Sequence, residues 1–193
     1  MSQRRRVKVT DQGAKLQPRA EDGLTGEAAA TEAEPESCEC AELDPDDWDE
    51  AESDWSDIAF VRASTSAVLG VPVGYGGIRA ELAAKAEAAG ATVPPGAMFL
   101  MGEGRFRRPL LLEVEGAPPG AKGIDRPGGI AYSRIVYAPY GELRNALEET
   151  ELRALRRYGR KPDATWLWYL TCRLCSRERN FETLVVAHYR EKP

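Results

Sequence analysis

The sequence predicts an α+β domain in which a duplicated strand-helix-strand-strand unit forms an antiparallel sheet with helices on one face. Short β-branched or aromatic segments are bounded by Gly and Pro, as strands are. Two longer segments carry apolar residues at helical spacing. These elements follow the same order in both halves of the folded region, which indicates a repeat. The composition, 42% hydrophobic and 30% charged, is typical of a globular protein.

The first unit contains four predicted strands and one helix. The predicted strands are 58–61, 67–73, 97–101 and 109–114. A helix is predicted over 78–89, because its apolar residues recur at helical spacing and Gly90 stands where a C-cap glycine belongs.

The second unit repeats the order with one strand before its helix. The predicted strands are 130–137, 165–171 and 182–189. A helix is predicted over 142–157, and Gly159 and Pro162 are expected to end it.

The charge distribution divides the chain into three parts. The net charge is −5, yet residues 32–57 hold 13 carboxylates and no Lys or Arg. Residues 1–36 have almost no large apolar side chains and are predicted to be a disordered tail. Residues 37–56, here called the acidic strap, contain Trp48 and Trp55, which are expected to anchor it on a folded surface. Residues 57–190 are predicted to form the folded domain.

The sequence also restricts location and partners. No apolar stretch reaches the roughly 18–20 residues needed to span a bilayer, and no apolar core follows the basic start as in a secretory signal. We therefore expect a cytoplasmic protein with no membrane partner. The acidic strap would compete with nucleic acid, and no helix-turn-helix precedes the domain, so no nucleic acid partner is expected. The sequence does not indicate an oligomeric state.

The four cysteines form two close pairs, Cys38 with Cys40 and Cys172 with Cys175. In a reducing compartment, paired thiols favour metal or redox chemistry over disulfides. Two pairs brought together would complete the tetrahedral sulfur shell of structural zinc. A redox-active CxxC pair and four inert thiols are the alternatives, although no thioredoxin-like βαβ pattern surrounds Cys172.

Aromatic and acidic residues form the second group of candidates. Trp166 and Trp168 lie two apart on a predicted strand, so they share a face and could wall a pocket. Tyr132 belongs to the same aromatic-rich half, and Glu113, Glu115 and Glu182 could supply a carboxylate. Such walls beside a carboxylate suit a hydrophobic or cationic small molecule. The alternative is a set of core aromatics and edge carboxylates.

The single histidine, His188, lies in the last predicted strand. A lone histidine there is more typical of a surface or edge position than of a catalytic one.

One run of residues resembles a known family. Gly128-Gly-Ile-Ala-Tyr-Ser-Arg-Ile-Val-Tyr-Ala-Pro-Tyr-Gly-Glu-Leu is similar to the signature of GyrI-like small-molecule-binding domains, related to the drug-sensing domains of multidrug-responsive activators. The chain looks most similar to a bacterial subgroup often labelled hydrolase. That subgroup pairs an N-terminal cysteine motif and a DP..WDE motif, here Asp44-Pro-Asp-Asp-Trp-Asp-Glu, with Thr171-Cys-Arg-Leu-Cys175. The chain departs from the signature in having Ala138 where the family has Gly.

The resemblance implies a pocket between the two repeats that binds a xenobiotic or toxin. Some members are similar to hydrolases of strained cyclopropane toxins, in which a glutamate and an aromatic hydroxyl activate water. Carried over to this chain, these roles fall on Glu182 and Tyr140, with Trp166 and Trp168 as walls. If the protein is an enzyme, we expect a hydrolase. The alternative function is a non-enzymatic regulatory or protein-interaction module that uses the acidic strap.

Overall fold

The computed structural model of the protein describes residues 7–9, 40–68, 71–72 and 77–190. The predicted disordered tail, 1–36, falls outside these ranges except for Val7–Val9. That short segment is a β-strand.

An antiparallel sheet forms the centre of the molecule. The strands are β1 (Val7–Val9), β2 (Ala41–Leu43), β3 (Ala51–Asp54), β4 (Ala59–Val68), β5 (Val71–Pro72), β6 (Phe99–Gly102), β7 (Arg107–Val114), β8 (Ile124–Asp125), β9 (Ile130–Tyr137), β10 (Ala164–Tyr169) and β11 (Glu182–Tyr189). The order across the sheet is β3-β9-β11-β10-β6-β7-β4-β5, with β8 also paired to β4, while β1 pairs with β2 separately. The pairs are antiparallel, which confirms the α+β prediction.

In the described part of the chain, three helices connect the strands: α1 (Pro45–Trp48), α2 (Ile78–Ala88) and α3 (Leu143–Tyr158). The bounds of α2 and α3 lie within one residue of the predicted helices. Gly159 takes a left-handed conformation with φ 71° as the C-cap of α3, which confirms the predicted stop. Among the residues described, no helix is both long and apolar enough to cross a membrane.

The first predicted strand pair is wrong. Residues 58–61 and 67–73 were expected to be separate strands, but β4 runs unbroken from Ala59 to Val68. The small polar residues between the two segments have a weak preference for β-strand, so the local sequence predicts an interruption. In the sheet they pair with β7, with Ser64 opposite Pro109 and Ser66 opposite Arg107. Cross-strand pairing therefore overrides weak local preference.

The strand registers define two faces of the sheet around β9, β10 and β11. Directly paired residues share a face, and alternate residues along a strand do too. One face, here called the strap face, carries the side chains of Ser133, Ile135, Trp166, Trp168, Leu184, Val186 and His188. The opposite face, here called the helix face, packs Val136, Leu167 and Val185 against Leu143 and Leu147 of α3.

The acidic strap lies across the strap face. Trp55 stacks on His188 at 4.7 Å between ring centroids and also contacts Phe60 at 5.2 Å. Trp48 meets Trp168 edge-on at 5.9 Å, and the Ser133 hydroxyl donates to the Trp48 carbonyl at 2.8 Å. The two tryptophans are 6% and 1% exposed. Their burial makes the strap part of the hydrophobic core.

His188 is buried, in contrast to the surface or edge position expected from the sequence. Its side chain is 2% exposed, and Nε2 lies 2.8 Å from the Gly128 carbonyl. The stacked Trp55 ring covers it, and nothing near His188 in sequence indicates that cover. Desolvation by burial lowers the pKa of His188.

Replacing Trp55 with Ala should lower the free energy of unfolding by about 3–5 kcal/mol, because it removes a fully buried indole. Denaturant unfolding measures the change. Leu152→Ala is the control, since Leu152 is 45% exposed on α3 and its loss should matter little. A similar cost for both variants would show that the strap is not part of the core.

The stability of the protein should fall as the pH drops below about 6.5, the ordinary pKa of histidine. The folded state holds His188 with a lowered pKa, so the unfolded chain binds the proton more tightly and acid favours unfolding. Melting temperatures between pH 7 and pH 5.5 measure this. His188→Gln keeps a donor toward the Gly128 carbonyl without titrating, so its melting temperature should vary less over that range. Equal pH dependence in both proteins would refute the assignment.

Candidate metal centre and ligand cleft

Cys172 and Cys175 lie in the turn that follows β10. Backbone hydrogen bonds close this turn, from Ser176 N to Cys172 O and from Arg179 N to Cys175 O, both at 3.0 Å. The turn brings the two sulfur atoms to 3.9 Å. Tetrahedral zinc–thiolate bonds of about 2.3 Å place neighbouring sulfurs about 3.8 Å apart, so this spacing suits a shared ion.

Cys40 completes a three-thiol group from the other end of the sequence. Its Sγ accepts a hydrogen bond from Cys172 N at 3.2 Å. The sulfur atoms of Cys40, Cys172 and Cys175 all lie within 4.8 Å of one another, an arrangement that can hold a metal ion. Cys38, the fourth predicted ligand, falls outside the described residues, so its role stays a prediction.

The surroundings of the thiols affect their ionisation in opposite directions. Burial, followed by the neighbouring thiols of Cys175 and Cys172, raises the pKa of Cys40. Burial also opposes ionisation of Cys172, but hydrogen bonds from the backbone N–H groups of Cys175 and Leu174 lower its pKa overall. Several thiolates so close together repel one another, and a bound cation removes that cost.

Glu182 and Arg179 form a partly buried ion pair beside this group. Glu182 is 9% exposed, and one of its oxygens, Oε2, accepts from Arg179 Nε at 2.9 Å and Nη2 at 2.6 Å. The catalytic role that the resemblance implies for Glu182 stays a prediction.

Tyr140 lies on the exposed side of the same region, with 55% of its surface accessible. It makes edge contacts with Tyr169 and Phe181, at 5.3 and 5.9 Å between centroids. Burial, Tyr169 and the nearby cysteines raise the pKa of Tyr140. Its hydroxyl therefore stays protonated at neutral pH.

A cleft of about 730 Å³ lies between the acidic strap, the loop before β6 and the end of β7. This volume is suitable for a small molecule. Its apolar lining includes Trp48, Trp55, Ile58, Met98 and Val186. Its charged lining consists of Glu52, Asp54, Asp57, Glu113, Glu115 and Arg126, so carboxylates predominate.

Only two of the predicted pocket residues line this cleft, Glu113 and Glu115. Glu113 is fixed by the Met98 backbone N–H, which donates to its Oε2 at 3.0 Å. Trp166 and Trp168 are buried on the strap face, 8% and 4% exposed. Tyr132 is on the helix face, packed edge-on against Tyr158 of α3 at 6.3 Å.

Sequence reasoning missed the strap residues that line the cleft. Trp48, Glu52, Asp54 and Trp55 are predicted from the sequence only as parts of an anchored segment. The available signal was the combination of two tryptophans with carboxylates in one short stretch. Which side of the sheet they would cover depends on long-range packing.

These features define a class of protein: an α+β domain with a three-cysteine candidate metal centre and an acidic cleft. A family model described as bacterial hydrolase matches residues 29–188. The match includes the acidic strap and nearly all of the folded domain, and the chain belongs to this family. No curated protein matches the chain. The resemblance to GyrI-like domains stays a prediction.

The purified protein should bind one equivalent of Co²⁺ in a site of thiolates, which gives intense sulfur-to-cobalt charge-transfer absorption. Cys175→Ser should weaken this absorption and lower the affinity at least about tenfold, because a thiolate is a far better ligand for a soft divalent ion than a hydroxyl. Ser176→Ala is the matched control in the same turn. Identical spectra for wild type and Cys175→Ser would contradict the site.

Proposed function

We propose that this protein binds a small molecule in the cleft between the acidic strap and the sheet, with a structural zinc ion holding the strap in place. The observation that carries the proposal is the double role of the strap. Its first described residue, Cys40, belongs to the candidate metal centre, and residues between Trp48 and Trp55 form a wall of the cleft.

Zinc is the ion that best suits the centre. Thiolate ligands select soft or borderline cations, and closed sulfur shells are typical of structural zinc. Cys38 lies two residues before Cys40, so it is our proposal for the fourth ligand. Such a centre joins segments more than 130 residues apart.

The charge of the cleft favours a cationic ligand with an apolar part. Five of its six charged residues are carboxylates, and the sixth, Arg126, donates to the Ala117 carbonyl at 2.8 Å. Among the residues that the structure describes, only the cysteines are grouped closely enough for a metal ion. The spread of carboxylates along the cleft therefore suits an organic cation better than a bare ion.

Hydrolysis is the finer part of the proposal, and membership of the bacterial hydrolase family supports it. A general base must reach the water that attacks the substrate, so it has to face the ligand site. Glu113 meets this requirement because it lines the cleft and is fixed through one oxygen by the Met98 N–H. We propose Glu113 for this role, with Glu115 as a second carboxylate beside it.

The strand order supports the proposed duplication of the unit. In the first half, β7 lies between β4 and β6, and in the second half, β11 lies between β9 and β10. The two halves meet where β6 pairs with β10. A pseudo-twofold relation would produce this order, as expected for GyrI-like domains.

Organic cations should raise the melting temperature of the protein, whereas neutral molecules of the same shape should not. A thermal-shift series of aromatic amines or amidines with neutral isosteres measures this. Glu113→Gln should lower the affinity for a cation that binds by about five- to fiftyfold, because it removes one negative charge and keeps an acceptor for the Met98 N–H. The shift should also shrink as salt is added.

Glu103→Gln is the control for this experiment, since it removes the same charge from an exposed hairpin outside the cleft. Equal shifts with cations and neutral isosteres would contradict the proposed ligand class. Equal affinity in the two Gln variants would remove Glu113 from the site.

A further inference from the structure

Arg179 makes four hydrogen bonds that connect both parts of the candidate metal centre. Besides its two contacts with Glu182, Nη2 donates to the Ala41 carbonyl at 2.8 Å and Nη1 to the Leu170 carbonyl at 3.1 Å. Ala41 directly follows Cys40 in the acidic strap. Leu170 lies two residues before Cys172. A single side chain thus joins the two segments that supply the thiols.

The geometry of these contacts requires a guanidinium group held in one orientation. Three nitrogens reach three partners in different directions, which the compact ammonium of Lys cannot do. Glu182 fixes the orientation, because both Nε and Nη2 point to its Oε2. Glu182 is buried and Arg179 is half-buried, so water competes weakly for this pair.

The charge of Arg179 also suits its place. Zinc with four thiolates carries a net charge of −2, which a nearby cation partly neutralises. Arg179 belongs to the same turn as Cys175 and interacts electrostatically with it. Side chains that orient the ligands of a metal commonly contribute to its affinity without touching it.

We propose that Arg179, oriented by Glu182, is a positioning residue of the metal centre: it ties the acidic strap to the cysteine turn and so preorganises the thiols. This inference rests on the metal centre proposed above. It gives Glu182 a role that acts through Arg179 and not on a substrate.

The test compares zinc affinities, measured by competition with a chromophoric chelator, for the full-length protein and its variants. Arg179→Lys keeps the positive charge but loses the planar guanidinium group. Glu182→Gln keeps the shape of the side chain but loses the negative charge. Each should weaken zinc binding about 10- to 100-fold, the usual effect of losing a partner of a metal ligand. Glu148→Gln is the matched control, because the Arg144–Glu148 pair is exposed and lies on α3.

The double variant separates this role from simple packing. If Glu182 acts through Arg179, adding Glu182→Gln to Arg179→Lys should weaken zinc binding no further. The Co²⁺ spectra of both variants should still show a thiolate site. The unfolding midpoints of the metal-free variants should stay close to that of the metal-free wild type, although the variants bind zinc more weakly. Should Glu182→Gln fail to fold, Arg179→Lys against Glu148→Gln still decides the question.

Two results would overturn the inference in distinguishable ways. If the wild type binds neither zinc nor Co²⁺, the metal centre itself is wrong. If the wild type binds zinc and both single variants bind it equally tightly, the metal centre stands and Arg179 does not position it. Independent, multiplying losses in the double variant would likewise refute action through Arg179.

Discussion

The packing of Trp55 between His188 and Phe60 is the interaction on which much of the remaining structure depends. It fixes the acidic strap to one side of the sheet and brings β3 against β9. The edge of β9 is therefore paired with β3 and not open. It also creates the cleft, because the strap forms one of its walls. Without this contact the strap would be a charged segment with little reason to fold.

An acidic segment folds here because its apolar and charged groups point to different surroundings. Trp48 and Trp55 enter the core, whereas the exposed carboxylates face water or basic groups. Glu50 pairs with Arg153 of α3, and Glu52 accepts from the Tyr158 hydroxyl at 2.6 Å. Near the start of the strap, Arg179 donates a hydrogen bond to the Ala41 carbonyl. The strap is thus held by hydrophobic packing at Trp48 and Trp55 and by polar contacts at Ala41 and at the glutamates between the two tryptophans.

The position of the strap also changes the meaning of the aromatic residues in the second half of the chain. Trp48 covers Trp168, so the Trp168 ring packs against the strap and does not line an open pocket. The accessible cleft lies further along, beside the end of β7, where carboxylates outnumber basic groups. In this member of the bacterial hydrolase family, the cleft thus combines open space with carboxylates, and the cysteines Cys172 and Cys175 lie in the turn after β10.

The sequence by itself determined the elements whose signals are local. The period of α3 and its stop at Gly159, the alternation in β11 and the pairing of Cys172 with Cys175 each depend on residues close together in the chain. Tertiary structure alone decided which face the strap covers, that β4 is one strand and that His188 is buried. It also decided that Glu182 meets Arg179 and that Glu113 faces the cleft. These outcomes depend on contacts between segments far apart in sequence, and no local pattern records which distant surface will exclude water from a side chain.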